Sequence, residues 1–369
     1  MSQLRIRRAA VAASTFAFLL LPCGTGFADD HGYAGLLRAR DLSPFGFLRL
    51  DMRPAHADTG EPGTWSIETE LAYQNTWALS PAVERYLEAL PGTRELGPAE
   101  FAAIRALPGE NYLVDLELAQ LDVTLHHKFS RDWAAYAVLS GATYQGGFMD
   151  HGIEGFHNAF GFSTFGRPAV KRDDVNVLFD LKSVRSAVFE RPIDGGLLDP
   201  TLGVRYAGFR VPRSWRLLAE AAVKLPVGGY RPYLSNGRSD VGLQVSLQRF
   251  SVNHAFYLSA SAVHYDGSRD SPRTKKQLVP TLVAGFEKRV SGNTHVILQA
   301  YGSKSVYSRN ETDLSALRKN KYQLSLGTYH RRGRGLFSFA FTENLQNLNN
   351  TPDIGFQLGW VYNPVQKPR

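Results

Sequence analysis

The sequence predicts an all-β protein, a transmembrane antiparallel up-and-down β-barrel of about twelve strands. Three observations carry that prediction. Apolar and polar residues alternate with period two in twelve stretches, as strands with one face in lipid require. The connectors between those stretches alternate strictly between long and short. The 369 residues include 22 Phe, 16 Tyr, 5 Trp and 34 Gly, and no apolar run near 18 residues follows the first segment. That composition supplies aromatic girdles and tight turns, and with a mean hydropathy of −0.24 it excludes a bundle of membrane helices.

Residues 1–28 read as an export signal. Arg5, Arg7 and Arg8 form a basic start, Ala9 to Leu21 an apolar stretch too short to span a bilayer, and Gly26-Phe27-Ala28 a small-residue cleavage site. Cleavage there removes Cys23, the single cysteine, and with it any disulfide. The rival reading makes Cys23 a lipidation site, which Pro22 before it fits poorly. Losing three arginines lowers the formal charge from +8 to +5, too mild to require a nucleic-acid partner. Residues 29–63, rich in Pro, Asp and Gly, are expected to form an N-terminal periplasmic segment. Within it, Phe45 to Leu50 would pack inside the barrel or cap its periplasmic mouth.

The barrel is expected over 64–362, in strands at 64–78, 112–128, 133–144, 199–209, 214–225, 240–249, 254–265, 277–289, 294–305, 321–330, 335–343 and 353–362. The first is amphipathic around Glu68 and Glu70. In the second, the phase of alternation switches between Leu118 and Leu121, as a β-bulge near Ala119-Gln120 would produce. In the sixth, Val241, Leu243, Val245 and Leu247 oppose Gly242, Gln244, Ser246 and Gln248. In the eleventh, Phe337, Phe339 and Phe341 oppose Ser338, Ala340 and Thr342. The last places Ile354, Phe356, Leu358, Trp360 and Tyr362 on one face, the aromatic ending through which barrel-assembly machinery would engage the chain. Residues 363–369 are then a periplasmic tail. Five short connectors and six longer ones match periplasmic turns and outer loops when both termini are periplasmic. Segment 175–182 also alternates, either as a strand pair projecting from the second outer loop or as a further barrel strand. A soluble sandwich would share the short strands, but not two-sided segregation together with so aromatic a final strand.

The face opposite the apolar one lists the expected lumen. It comprises Glu68, Glu70, Asp115, Glu117 and Asp122 on one wall, and Arg205, Arg216 and Lys224, with Glu220 among them, on the other. Such charges must be paired or hydrated. They either brace a mostly filled lumen or set the selectivity of a polar path. Basic residues gather in the later outer loops, and Arg273, Lys275 and Lys276 are candidates to meet the phosphates of outer-membrane lipid and lipopolysaccharide.

The second outer loop holds the compact motif of the chain, Gly146 to Gly161. Phe148, Ile153, Phe156 and Phe160 form an apolar stripe at helical spacing, with Asp150, Glu154 and His157 on a neighbouring stripe. On Gly146, Gly147, Phe148, Asp150, Ile153, Glu154, Phe156, His157, Phe160 and Gly161 the chain resembles a proteobacterial outer-membrane family, the domain of unknown function 3187. Met149 stands where that family usually has Leu, and its following Gly-Gly-Arg stretch survives only as Gly166-Arg167. The resemblance implies a bacterial outer-membrane location and no assigned activity.

The helix 148–160 is expected to fold into the barrel mouth as a partial plug, with Glu154 and His157 bonded to wall charges. His157 would charge between pH 5 and 8, making a titrating gate a further expectation. One carboxylate-x-x-His offers a metal too few ligands, and no cofactor motif is present. No His-x-Ser pairing occurs among the ten histidines, so no catalytic residue is assigned. The expected function is a channel or binding barrel for a small solute. The alternatives are an outer-membrane lipid-modifying enzyme and a structural or adhesion barrel without a pore.

Overall fold

A computed structural model describes residues 32–53, 61–161, 163–188, 195–269, 276–345 and 349–362. The predicted export signal and the 363–369 tail lie outside the described residues, as do Arg273 and Lys275.

Twelve antiparallel strands close a barrel: β1 (Thr64–Leu79), β2 (Asn111–Lys128), β3 (Trp133–Gln145), β4 (Thr201–Tyr206), β5 (Trp215–Lys224), β6 (Asp240–Phe250), β7 (His254–Tyr265), β8 (Gln277–Arg289), β9 (Thr294–Ser303), β10 (Lys321–Arg332), β11 (Gly335–Asn344) and β12 (Ile354–Tyr362). Each pairs with its neighbours in sequence, and β1 pairs with β12 from Ile67↔Tyr362 to Asn75↔Ile354. Closure satisfies every strand edge, which hydrocarbon demands. Leu243, Leu258, Leu282, Leu326 and Leu358 project outward and stay exposed. Their inward neighbours Gln244, Ser246, Ser259, Gln299 and Ser325 are buried.

β1 and β2 run for 16 and 18 residues, well past the roughly 9–11 that a tilted strand needs to cross a bilayer. Their register is unbroken from Thr64↔Lys128 to Leu79↔Leu113, so the expected bulge at Ala119-Gln120 does not exist. What changes there is the surroundings. Above the bilayer the outward face of both strands is covered by protein, and the inward side chains Tyr112, Val114, Leu116 and Leu118 join an apolar cluster. Strand 176–180 replaces β3 as the partner of upper β2, with Asn111↔Asp180 through Asp115↔Asn176, and pairs in turn with 185–188. Segment 175–182 thus belongs to the projecting strand pair and leaves the barrel count at twelve.

The cover is built from the first two outer loops. Pro81 starts α1 (Pro81–Glu88) and Pro98 starts α2 (Pro98–Arg105), positions where the missing N–H costs nothing. The Glu100 carboxylate caps α2 by accepting from Gly97 N at 3.0 Å, and those backbone bonds hold its carboxyl below the usual range. Val83, Leu87, Phe101 and Ile104 bury themselves against Trp77, Leu79 and Leu113, forming a small core outside the barrel wall. α3 (Asp150–Phe160) lies in the same collar and ends at Gly161, left-handed at φ 70°.

Candidate functional site

Residues 32–53, expected in the periplasm, run inside the barrel. The segment enters at the end with short turns, where the Tyr33 hydroxyl donates to Ser251 O at 2.7 Å. It climbs to Phe45, whose ring meets Tyr112 and Phe179 edge-on at 5.5 and 5.8 Å. It then turns at Gly46 and descends to Arg53. Gly46 sits at φ 109°, and a Cβ there would stand 2.7 Å from Val306 Cγ2, so the tip of this hairpin requires glycine.

Charge pairs fix the hairpin to the wall. Arg38 clasps Glu68 through two donors at 2.9 and 3.0 Å. Arg40 reaches Asp122 at 2.5 Å, and Arg53 reaches the same carboxylate at 3.4 Å. Lys321 pairs with Asp41 and donates to Phe45 O at 2.8 Å. Arg49 donates to the Tyr301 hydroxyl at 3.0 Å. Backbone groups are satisfied the same way: Leu42 N donates to Gln74 Oε1 at 3.0 Å, Leu50 N to Asp240 Oδ2 at 2.8 Å, and Gln299 Nε2 to Leu37 O at 3.1 Å. Between the hairpin and strands β2 to β5 a cavity of about 60 Å³ remains, lined by Arg38, Arg40, Arg53, Tyr136, Arg205 and Glu220 among others. That is room for a few waters.

The predicted lumen residues divide accordingly. Glu68, Glu70, Asp122, Arg205, Glu220 and Lys224 face inward and are buried. Gln357 donates to Glu70. Arg205 clasps Glu220 at 2.9 and 2.8 Å, and Lys224 sits 3.2 Å from Asp240 while donating to Leu48 O at 2.5 Å. Arg216 shares their face but lies exposed at the short-turn end of β5. Asp115 and Glu117 do not line the lumen. The unbroken register turns them outward, opposite Trp77 and Asn75, where the collar buries them.

Glu117 is the socket for the loop motif. Its carboxylate accepts from Phe148 N at 3.1 Å, Met149 N at 2.7 Å, Asn75 Nδ2 at 3.2 Å and the Tyr73 hydroxyl. The two glycines follow from that close approach. A Cβ on Gly147, at φ 82°, would stand 1.8 Å from Glu117 Oε2, and one on Gly146 1.8 Å from Asp173 O. Asp150 pairs with Arg167 and accepts from Asp173 N at 2.9 Å. Arg167 extends to Asp353 at 2.7 Å and to Asn75 Oδ1 at 3.2 Å, with its guanidinium 5.0 Å above the Trp77 ring. Burial raises the Asp353 carboxyl to about 6 despite that opposing charge.

Residues 95–363 match the model of a family described as a protein of unknown function (DUF3187). The chain belongs to this family. Among solved structures, the COG4313 outer membrane channel from Pseudomonas putida F1 aligns with a TM-score of 0.52 at 11% identity, over 85% of this chain and 99% of that one. The translocator domain of the autotransporter NalP from Neisseria meningitidis gives 0.40 at 9% identity, over 81% and 88%. The Ralstonia pickettii toluene transporter TbuX gives 0.38 at 8% identity, over 82% and 90%. The first likeness shows the fold, a barrel matching those of bacterial outer membranes. No curated protein matches in sequence.

In this DUF3187 chain the motif helix does not enter the mouth. Phe148 stacks on the outward ring of Tyr73 at 5.4 Å and is itself 70% exposed, while Ile153 is buried in the collar. The side chains of Phe156 and Phe160 lie outside those described. Glu154 and His157 have partners in their own loop. Glu154 pairs with Arg172 at 2.5 Å, and His157 Nδ1 lies 2.8 Å from Ser163 O in its own loop. The lumen is filled instead by the N-terminal hairpin, whose arginines were visible as counter-charges to an acidic wall only 30 to 80 residues on. Lys276 meets Asp266 at 2.7 Å with most of its length in solvent. Among the described residues, no group of three or more His, Cys, Asp or Glu could hold a metal.

Proposed function

We propose that this DUF3187 barrel is an outer-membrane channel for a small solute, held closed by residues 32–53. The observation that carries the reading is the nature of the plug. A barrel needing only rigidity can fill its interior with its own side chains. Here a separate hairpin fills it, fixed by ion pairs and hydrogen bonds and by the burial of Leu36, Leu37, Leu42 and Phe45 against the inner wall. A segment that is not part of the wall can leave the lumen without breaking the strand ladder that closes the barrel. The fold-level likeness to an outer membrane channel supports the same reading.

Single-channel recording tests the proposal. The mature chain should conduct rarely or in small steps. A chain lacking 32–53, or carrying Arg38→Gln, Arg40→Gln and Arg53→Gln together, should conduct in larger and longer steps. A silent bilayer from all three, with folding verified by heat-shifted gel mobility, would contradict the channel and favour a structural barrel.

A further inference from the structure

The barrel end with short turns carries a basic rim. Lys288 and Arg289 precede the turn at 290–293, and Arg331, Arg332 and Arg334 surround the turn at 331–334. Inside this rim a cavity of about 130 Å³ opens between strands β8 to β10 and the start of the N-terminal hairpin. At roughly 30 Å³ per water that is room for about four waters, enough for one phosphate group.

Its lining suits an oxyanion. Arg289, Arg331, Tyr329, His295 and Asn293 supply the polar wall. No carboxylate lines it among the described residues. Glu287, the acid beneath, is already committed: it accepts from Ala34 N at 3.0 Å, Gly35 N at 3.1 Å and the Tyr257 hydroxyl at 2.6 Å, and pairs with His295. Tyr329 is only 3% exposed, and its hydroxyl finds no hydrogen-bond partner among the described residues. A buried hydroxyl left so is costly unless something bonds to it.

The cationic groups are held in place. The Arg289 guanidinium lies 5.2 Å over the Tyr33 ring. Arg331 N donates to Asn293 O at 2.8 Å, and Arg289 N to Asn253 O at 2.9 Å. Gly32 closes one side at φ 114°, where a Cβ would stand 3.3 Å from Arg289 Nη2. Two guanidinium forks, a phenol and an amide match the many acceptor positions of a phosphate better than those of a halide.

We propose that this cavity binds a phosphate group reaching it from the periplasmic side, as the headgroup of an anionic phospholipid of the inner leaflet or as free phosphate. Because Gly32 and Ala34 form part of its wall, occupancy also tethers the base of the hairpin.

The test measures thermal unfolding of the mature chain. In detergent, inorganic phosphate is titrated against chloride at equal ionic strength. In lipid nanodiscs, phosphatidylglycerol mixed with phosphatidylcholine is compared with phosphatidylcholine alone. A midpoint raised by free phosphate assigns the site to the anion itself, and one raised only by phosphatidylglycerol assigns it to the headgroup. Tyr329→Phe, which keeps the ring, and Arg289→Gln should each weaken the response at least about tenfold. Arg334→Gln, on the exposed rim, should leave it unchanged. No rise in either medium, or equal rises in wild type, Tyr329→Phe and Arg289→Gln, would overturn the proposal. Nothing here depends on conduction, so the site and the channel can fail separately.

Discussion

The lumen hairpin and the outer collar are held by the same two strands in opposite ways. Glu68 and Asp122 on the inward face of β1 and β2 meet a plug through charge, with Arg38 and Arg40 as partners. A few residues higher, Trp77, Leu79 and Leu113 on the outward face meet helices α1 and α2 through apolar burial. The hairpin also buries Leu36, Leu37, Leu42 and Phe45, but its charged contacts are specific pairs that one substitution breaks, whereas the collar is joined to the strands chiefly by apolar area. On the channel proposal, the hairpin is the part that would move and the collar the part that would stay fixed.

The largest expected effect separates the two. Glu68→Gln leaves Arg38 buried without its clasping carboxylate, and hairpin docking should weaken by roughly 3–5 kcal/mol. Proteolysis within 32–53 and conductance should both rise, with the barrel's own unfolding little changed. A matching loss of barrel stability would break the comparison. Next comes Ile104→Ala in the collar. Ile104 is fully buried, so the change should cost about 2–5 kcal/mol in unfolding measured in detergent, without opening the pore. Increased conductance from this variant would show the regions to be coupled.

Gly147→Ala should cost on the order of 1–3 kcal/mol, from the left-handed backbone and the clash with Glu117. Its signature would be faster hydrogen exchange confined to the motif helix. An effect of similar size, spread over a pH range, is that of Asp353, at the collar's edge. Its folded pKa of about 6 exceeds the usual 3.8, so the folded state holds the proton more tightly. Its contribution is therefore fully present below about pH 4 and falls as pH rises to about 6, by on the order of 1–3 kcal/mol. Asp353→Asn should flatten that part of the profile; an unchanged slope would place the titration elsewhere.

The barrel itself was legible because period-two patterning and connector length are local signals. All twelve expected strands coincide with observed ones to within a few residues at their ends. The phase switch in β2 was also a true signal, but of a change in surroundings: lipid outside and charge inside below it, protein on both sides above it. A bulge and an environmental change leave the same mark on one strand, and only the register with β1 tells them apart. Of the hairpin, the sequence offered only Phe45 to Leu50 as a segment that packs inside the barrel or caps its mouth; they lie inside, but the rest of its path was not legible. Its Pro, Gly and Arg carry no periodicity, and its partners lie up to about 280 residues away, as Asp41 with Lys321 shows. Glu154 and His157 were sound choices of polar residues at helical spacing. Their partners, Arg172 and Ser163, come from the same loop, a contact no spacing rule announces.

The most direct test of the account is whether residues 32–53 lie within the barrel. Cys23 is the sole cysteine of the chain and falls in the predicted export signal. Single cysteines can therefore be introduced by Ala39→Cys, at a position 4% exposed, and Phe148→Cys, at one 70% exposed. Labelling with a small maleimide in detergent should be fast at position 148 and slow at position 39, becoming fast at 39 once Glu68→Gln is added. Equal, fast labelling at both positions without that change would contradict the lumen plug and the gating built on it.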